Sequence, residues 1–387
     1  MFRPIEQEFK VSYRYKLHST EGLFDLENQL FVSIVNEYKK NNRVKLLFVI
    51  DDGVANAHIN LLTDIAAYCE KYNEYLIHTQ SIVVKGGERC KNSDDNVDGI
   101  LKAINNNAIC RHSFVVVIGG GAVIDMVGYA SAIAHRGVKL IRIPTTVLSQ
   151  NDSAVGVKNS INAFGKKNFL GTFAPPYSII NDSQFLSTLE QRDWIAGIAE
   201  ALKVALIKDA DFFDYLELHA DKLRERDHEV MQYAIYKCAE IHMRHISQGD
   251  DPFESGSSRP LDFGHWAAHK LEHMTDYSLR HGEAVAKGIV LDITYAYLVD
   301  LISETELQRI IRVFKTIGFD ISFPISTDEE MAHLLNGIEE FREHLGGQLT
   351  ITLISGIGKK HDVHKIDMSL MKKALWKVNA TTNSNVH

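Results

Sequence analysis

Two histidines, His265 and His269, stand four residues apart in Gly264-His265-Trp266-Ala267-Ala268-His269, and that spacing puts both on one face of a helix. A third, His281, opens the run His281-Gly282-Glu283-Ala284. Upstream, Ala199-Glu200-Ala201-Leu202-Lys203 places a carboxylate and an ammonium on a single helical face. Two imidazoles and one carboxylate with an open coordination position make a catalytic zinc site. The chain has 18 histidines, so chance spacing is common, and satisfied or solvated side chains are the competing reading. His242, His245 and His273 earn no role from spacing.

A second kind of chemistry is signalled by Gly119-Gly120-Gly121-Ala122-Val123-Ile124-Asp125. Glycines let a backbone approach a pyrophosphate, and the free N–H groups of a helix start favour an anion. The pattern is not GxGxxG, so a tight strand-to-helix turn is the alternative. Asp51 could accept from a ribose hydroxyl, or Asp51-Asp52-Gly53 could simply be a turn. Together the two features favour NAD.

These residues need elements to hold them. Lys45 to Ile50 (KLLFVI), Phe114 to Ile118 (FVVVI) and Val138 to Ile143 (VKLIRI) read as buried strands, with Leu61 to Tyr75 an amphipathic helix. Continuous Val/Ile runs separated by helices indicate parallel strands covered on both faces. Residues 1–182 are therefore expected to form an α/β, Rossmann-like parallel-sheet domain that binds NAD. After Pro175-Pro176 the texture changes, and stretches such as Trp194 to Ile207 and His281 to Leu298 repeat apolar residues at helical spacing. Residues 183–387 are expected to form a mainly α-helical domain holding metal and substrate, with the active site in the cleft between the halves.

Composition excludes several classes. Apolar residues make up 45% and charged residues 24% of 387, an ordinary globular balance. A net charge of −8 argues against a nucleic-acid surface, which is normally basic. It permits an anionic substrate, because a pocket can be locally positive. The four cysteines, Cys69, Cys90, Cys110 and Cys238, show no CxxC pairing and fit a reducing compartment. With no apolar signal region and no membrane-length apolar run, a soluble cytoplasmic protein with no membrane partner is expected.

The ordered blocks GGGAVID (Gly119–Asp125), HRG (His135–Gly137), PTT (Pro144–Thr146), QNDSAVGVKNSIN (Gln150–Asn162), KKN (Lys166–Asn168), GIAEALK (Gly197–Lys203), GHWAAH (Gly264–His269) and HGEAV (His281–Val285) resemble dehydroquinate synthase, of the sugar phosphate cyclases. The resemblance covers roughly residues 45 to 300. It implies that Glu200, His265 and His281 hold zinc, or cobalt. It further implies a cyclase in which NAD transiently oxidises a carbinol, phosphate leaves by β-elimination, the carbonyl is reduced again, and an aldol reaction closes a carbocycle.

By the same resemblance, Gly119, Gly120, Gly121 and Asp125 hold the nicotinamide cofactor, with Glu88, Lys91, Thr145 and Thr146 assisting; Asp51, from its place at the strand end, and Lys167 complete the expected cofactor set. Lys158, Asn162 and Lys203 would supply cations and an amide for the phosphate of a phosphorylated sugar. Asp152 would orient the reacting hydroxyls, and His269 would relay a proton or bind phosphate. Arg136 would reach into a neighbouring subunit's pocket, which implies a homodimer. Lys158 and Lys166 as solvated charges, and Asp152 as a helix cap, are the plainer alternatives.

The departures bear on substrate. The family has an arginine seven residues before the first metal histidine and an asparagine three before it, where this chain has Ser258 and Asp262. A family lysine falls at His242, with Arg244 nearby, and a C-terminal lysine pair falls at Phe341-Arg342-Glu343. Losing two cations and gaining Asp262 would make the pocket repel a carboxylate. The expected substrate is thus sedoheptulose 7-phosphate, giving a valiolone-type cyclitol. A true 3-dehydroquinate synthase, using Arg259 or Arg244 for the carboxylate, is the first rival. A polyol dehydrogenase of the glycerol dehydrogenase type is the second, and a catalytically dead homologue the third.

Overall fold

The computed structural model describes residues 3–39, 42–249, 253 and 259–383. The first part alternates strands and helices: β1 (Lys16–Thr20), α1 (Leu30–Tyr38), β2 (Val44–Asp51), α2 (Asp52–Ala57), α3 (Leu61–Lys71), β3 (Leu76–Val84), α4 (Asp94–Asn106), β4 (Phe114–Gly119), α5 (Gly121–Ile133) and β5 (Lys139–Pro144). An antiparallel hairpin, β6 (Lys158–Ala163) and β7 (Lys166–Phe173), precedes β8 (Ser178–Asp182). The three expected strands are present as β2, β4 and β5.

Six strands make one parallel sheet in the order β1-β8-β5-β4-β2-β3. Every residue of β4 is buried, because helices cover both faces and only apolar side chains fit there. Phe48, Val116 and Ile143 belong to the apolar cluster on one face, and Val49, Val117 and Leu140 to that on the other. From β2 the chain moves outward to β3, then returns to the far side of β2 for β4. The strand order therefore reverses between β2 and β4, where open α/β sheets place their ligands. Asp51 ends β2 and Gly119 ends β4 at that crevice.

Beyond Asp182 helices dominate: α6 (Gln191–Ala196), α7 (Ile198–Lys208), α8 (Ala210–Leu218), α9 (Ala220–Arg224), α10 (His228–Gln248), α11 (His265–Met274), α12 (His281–Leu298), α13 (Glu304–Ile317), α14 (Asp328–His344) and α15 (Met368–Asn383). A small hairpin, β9 (Ile351–Ile354) with β10 (Lys360–Val363), interrupts them. The stretch read as one helix from Trp194 to Ile207 is two, divided at Gly197. One apolar cluster runs from Trp194 and Leu202 through Ile289 to Leu375. α7 and α12 are buried on nearly every side, as helices at the centre of such a cluster must be. No helix among the described residues is long and apolar enough to cross a membrane.

Candidate active site

Helices α7, α11 and α12 meet at three side chains. The ligand atoms of Glu200, His265 and His281 all lie within 4.8 Å of one another. Glu200 Oε1 is 3.9 Å from His265 Nε2 and 3.6 Å from His281 Nε2. α11 can start where it does because Gly264 adopts φ +78 and a Cβ on Gly288 of α12 would lie 2.0 Å from the Gly264 carbonyl. Only glycines allow that approach, which carries His265 toward α7.

Buried groups around the triad set its protonation. Phe263 O lies 3.0 Å from His265 Nδ1. A carbonyl only accepts, so Nδ1 carries the proton and the Nε2 lone pair faces Glu200. Burial, then the Lys203 ammonium and His281, hold His265 well below the usual histidine range. Glu272 Oε1 lies 3.3 Å from His281 Nδ1. Burial works against the Glu272 carboxylate, but His281 and Lys167 outweigh it and keep it ionised well below the usual carboxylate range. Lys167 Nζ, from hairpin strand β7, is 3.0 Å from Glu272 Oε1.

Neither oxygen of the fully buried Glu200 receives a directed hydrogen bond among the described residues. Its compensation is electrostatic, from Lys203 Nζ at 2.5 Å. A buried carboxylate left this way needs a further partner. Two imidazole lone pairs and that carboxylate facing one point fit a divalent cation with an open coordination position. His269 packs beside them, its ring centroid 5.5 Å from His265 and 6.0 Å from His281. His269, Glu272 and His281 also have ligand atoms within 4.8 Å of one another.

Asp152 approaches from the sheet side on a single π-helical turn, Ser149–Ser153. That turn is pinned by its own amides: Gln150 Nε2 donates to Pro144 O and Asp182 O, both at 3.0 Å, and Asn151 Nδ2 donates to Gly197 O at 2.8 Å. Asp152 Oδ1 is 3.9 Å from Lys203 Nζ and 3.1 Å from His242 Nδ1. Burial opposes both charges. Lys203 and His242 nonetheless hold the Asp152 carboxyl far below its usual range, and Glu200, Asp152 and, more weakly, Asp262 hold the Lys203 ammonium above its own.

The segment after the π turn is clamped by Arg142 of β5, a fully buried residue. Its Nη1 donates to Ala154 O at 2.7 Å and Gly156 O at 2.6 Å, and its Nη2 to Asn159 Oδ1 at 2.7 Å. Burial without a carboxylate in contact pushes its guanidinium down to about 10.

At the crevice, Gly120 precedes the first turn of α5, and a Cβ on Gly121 would lie 2.5 Å from Ser153 Oγ. Gly120 faces only Thr146 Cγ2 at 3.7 Å, so the backbone is open to a phosphate there. Asp51 sits beneath this loop and accepts from Gly53 N at 2.8 Å as the cap of α2. Burial raises its carboxyl. Thr145 N donates to Gly119 O at 3.1 Å, and the Thr146 backbone and hydroxyl cap the π turn through Ser149.

Lys91 Nζ donates to Asp125 Oδ2 at 2.8 Å and to Ser160 Oγ at 3.2 Å, and pairs with Asn168. Glu88 is 4.0 Å from Lys91. Asn162 donates to Asn92 Oδ1 at 2.7 Å and Glu88 Oε1 at 3.3 Å, while its carbonyl accepts from Asn168 N at 2.8 Å. Glu88, Lys91, Asp125 and Asn162 therefore tie the β6–β7 hairpin to α5. Lys158 begins that hairpin on an exposed position.

Arg136 is not brought to this place. It lies beyond the far end of α5, about 20 Å from the glycine loop by helix rise, on the surface with Arg111, His112 and His135. Arg244 pairs with Glu240 at 2.7 Å and Arg342 with Glu339 at 2.7 Å, both largely exposed. Ser258 lies outside the described residues. Glu272, Asp292 and Arg142 carry no assignment in the sequence, whereas His242, the counterpart of a family lysine, lies 3.1 Å from Asp152. Glu272, three residues after His269 and seven after His265, shares their helical face and was legible from spacing. Asp292 and Arg142 sit on elements whose meeting with the site no local pattern announces.

Comparisons with known proteins place the chain in a family. Residues 81–196 match the 3-dehydroquinate synthase N-terminal family and residues 197–339 the 3-dehydroquinate synthase C-terminal family. The chain belongs to the 3-dehydroquinate synthase family, within the sugar phosphate cyclase superfamily. It is 34% identical over 339 residues to 3-dehydroquinate synthase of Shewanella frigidimarina, covering 86% of this chain and 89% of that one. The structure of 2-epi-5-epi-valiolone synthase from Streptomyces hygroscopicus, with NAD+ and zinc bound, superposes with a TM-score of 0.86 at 26% identity, covering 98% and 99% of the two chains. A 2-deoxy-scyllo-inosose synthase, solved with carbaglucose-6-phosphate, NAD+ and cobalt, shares the fold at a TM-score of 0.76 and 21% identity over 93% and 96%.

Proposed function

We propose that this enzyme converts a heptulose 7-phosphate, namely sedoheptulose 7-phosphate, to a carbocycle with elimination of phosphate. NAD would serve as transient oxidant, with one divalent metal, zinc or cobalt, held by Glu200, His265 and His281. The convergence of those three side chains carries the reading. The solved relatives containing NAD+ with zinc or cobalt support the cofactors.

Bound nicotinamide would supply the reversible oxidation of one carbinol, and the cation would polarise that carbinol's oxygen. The chain's own residues then have separate tasks. Gly119 to Gly121 present backbone N–H groups to the pyrophosphate. Asp51 holds the turn under that loop, Thr145 and Thr146 shape its rim, and Glu88, Lys91 and Asp125 brace it against the hairpin. Asp152 accepts from a substrate hydroxyl, while Lys203 keeps that carboxylate ionised and pairs with Glu200. Lys158, His269 and Arg136 of a second copy would offset the phosphate's charge as it leaves. A homodimer follows from that last assignment. Mixing Arg136→Ala with Glu200→Gln subunits should restore phosphate release that neither variant shows alone.

The substrate assignment is supported by charge. Asp262 adds a negative charge near Lys203, His242 is turned onto Asp152, and Arg244 is engaged with Glu240. A like-charge contact in a poorly screened site costs on the order of several kcal/mol, which disfavours a carboxylated sugar. The test incubates purified protein, NAD and zinc or cobalt with sedoheptulose 7-phosphate and, separately, with the carboxylated heptulosonate 7-phosphate, measuring phosphate released. Turnover of the carboxylated sugar alone overturns the sedoheptulose assignment.

The second reading, 3-dehydroquinate synthase itself, is favoured by the 34% identity to a protein of that name, and it needs Arg259 to bind the carboxylate. Accumulation of NADH during turnover would instead indicate a polyol dehydrogenase, since a cyclase recycles its nicotinamide within each cycle.

A further inference from the structure

We infer that His242 is a positioning residue that decides which oxygen of Asp152 meets the substrate, an inference that rests on the sugar phosphate reading above. Three elements contribute: the π turn brings Asp152, α7 brings Lys203, and α10 brings His242. The contacts from Lys203 at 3.9 Å and His242 at 3.1 Å both fall on Oδ1. These are the closest approaches to the carboxylate, and on this inference Oδ2 is the oxygen that accepts from a substrate hydroxyl. A carboxylate oxygen cannot donate, so on this inference His242 turns Nδ1–H toward it and keeps its lone pair on Nε2.

The imidazole has little freedom to leave. It is 9% exposed, and Nδ1 lies 3.1 Å from Asp152 Oδ1 without completing a directed hydrogen bond to any described group. Its Cε1 and Nε2 lie 3.9 Å from the point a Cβ on Gly156 would occupy, and the Gly156 carbonyl is itself held by Arg142. The ring is lodged between the π turn and the segment leading to Lys158. Without it, Asp152 would keep only the longer contact to Lys203, and its carboxylate could rotate away from the reacting hydroxyl. Small losses of orientation of this kind lower rate more than affinity.

The test uses the NAD- and zinc-loaded protein and the variants His242→Ala and His242→Asn, since the Asn amide can donate from nearly the position of Nδ1. For sedoheptulose 7-phosphate, His242→Ala should lower kcat by roughly 10- to 100-fold with KM within about threefold. His242→Asn should recover most of that loss, and zinc stoichiometry should not change in either variant. An alanine variant with wild-type kcat, or an asparagine variant no better than alanine, overturns the proposal. If His242→Ala fails to fold, His242→Asn against His242→Leu carries the same comparison. A substrate-independent arm uses ¹⁵N-histidine NMR of wild-type protein and Asp152→Asn. The His242 ring should be the Nδ1–H tautomer and should respond to the Asp152 change. An Nε2–H tautomer overturns the inference even if neither sugar phosphate is turned over, an outcome that would separately overturn the substrate reading.

Discussion

Glu272 Oε1 lies 3.3 Å from His281 Nδ1, on the opposite side of the imidazole from Glu200, whose Oε1 is 3.6 Å from Nε2. A carboxylate behind a ligating histidine fixes the ring's tautomer and raises its basicity toward a metal. Lys167 secures the arrangement from the hairpin at 3.0 Å, so the orientation of a C-terminal ligand depends on a strand of the N-terminal half. Glu272→Gln should therefore weaken zinc binding by roughly 10- to 100-fold, read by calorimetry of the apoprotein. Unchanged affinity would mean that Glu272 serves packing alone.

Asp292 brackets the other histidine ligand: its Oδ2 accepts from Gly264 N at 3.0 Å and its Oδ1 from Trp266 Nε1 at 2.9 Å. Burial raises its carboxyl to about 7 against those two hydrogen bonds. Between about pH 4, where the unfolded chain loses this proton, and about pH 7, where the folded chain does, the folded state binds more protons. Its stability contribution is complete below about pH 4 and is lost as pH rises through about 7. Equilibrium urea unfolding of the metal-loaded protein should show a slope over that range, on the order of 3 to 4 kcal/mol in total, that Asp292→Asn removes. Parallel curves for the two proteins would refute it.

Arg142 holds Ala154, Gly156 and Asn159 with one guanidinium. Lysine brings a single point charge and cannot span those acceptors. Arg142→Lys should cost about 2 to 4 kcal/mol of stability and lower kcat/KM through displaced Asp152 and Lys158. A variant with wild-type melting temperature and kinetics would show that the segment holds itself.

Asp262→Asn should improve turnover of the carboxylated heptulosonate 7-phosphate relative to sedoheptulose 7-phosphate by about tenfold, by removing a repulsive charge near Lys203. The ratio of kcat/KM values for the two sugars decides it. An unchanged ratio would place the substrate's variable end elsewhere.

Much of the fold is legible in the sequence. The runs KLLFVI, FVVVI and VKLIRI are apolar on both faces, which only strands within a covered parallel sheet require, and all three are central strands. β1 and β3 escaped notice because they lie at the sheet edges, where the burial pattern is mixed. β8 is harder to read because its five buried residues include Ser178, Asn181 and Asp182, whose polar groups rely largely on contacts distant in sequence. Asp182 accepts from Gly22 and Leu23, and Asn181 donates to Gln150 O.

For the site, the sequence by itself determined the chemical groups: the helix-spaced histidines, the Glu200–Lys203 pair, and the glycines that open a strand-to-helix turn. Spacing of three or four fixes a helical face, so those relations are local. Only the tertiary structure decided what the groups face. It set Lys167 on Glu272, Asn162 against Glu88 and Asn92, and His242 on Asp152. Each of these depends on elements separated by many residues, whose relative placement comes from burying shared apolar faces and not from any pattern along one segment.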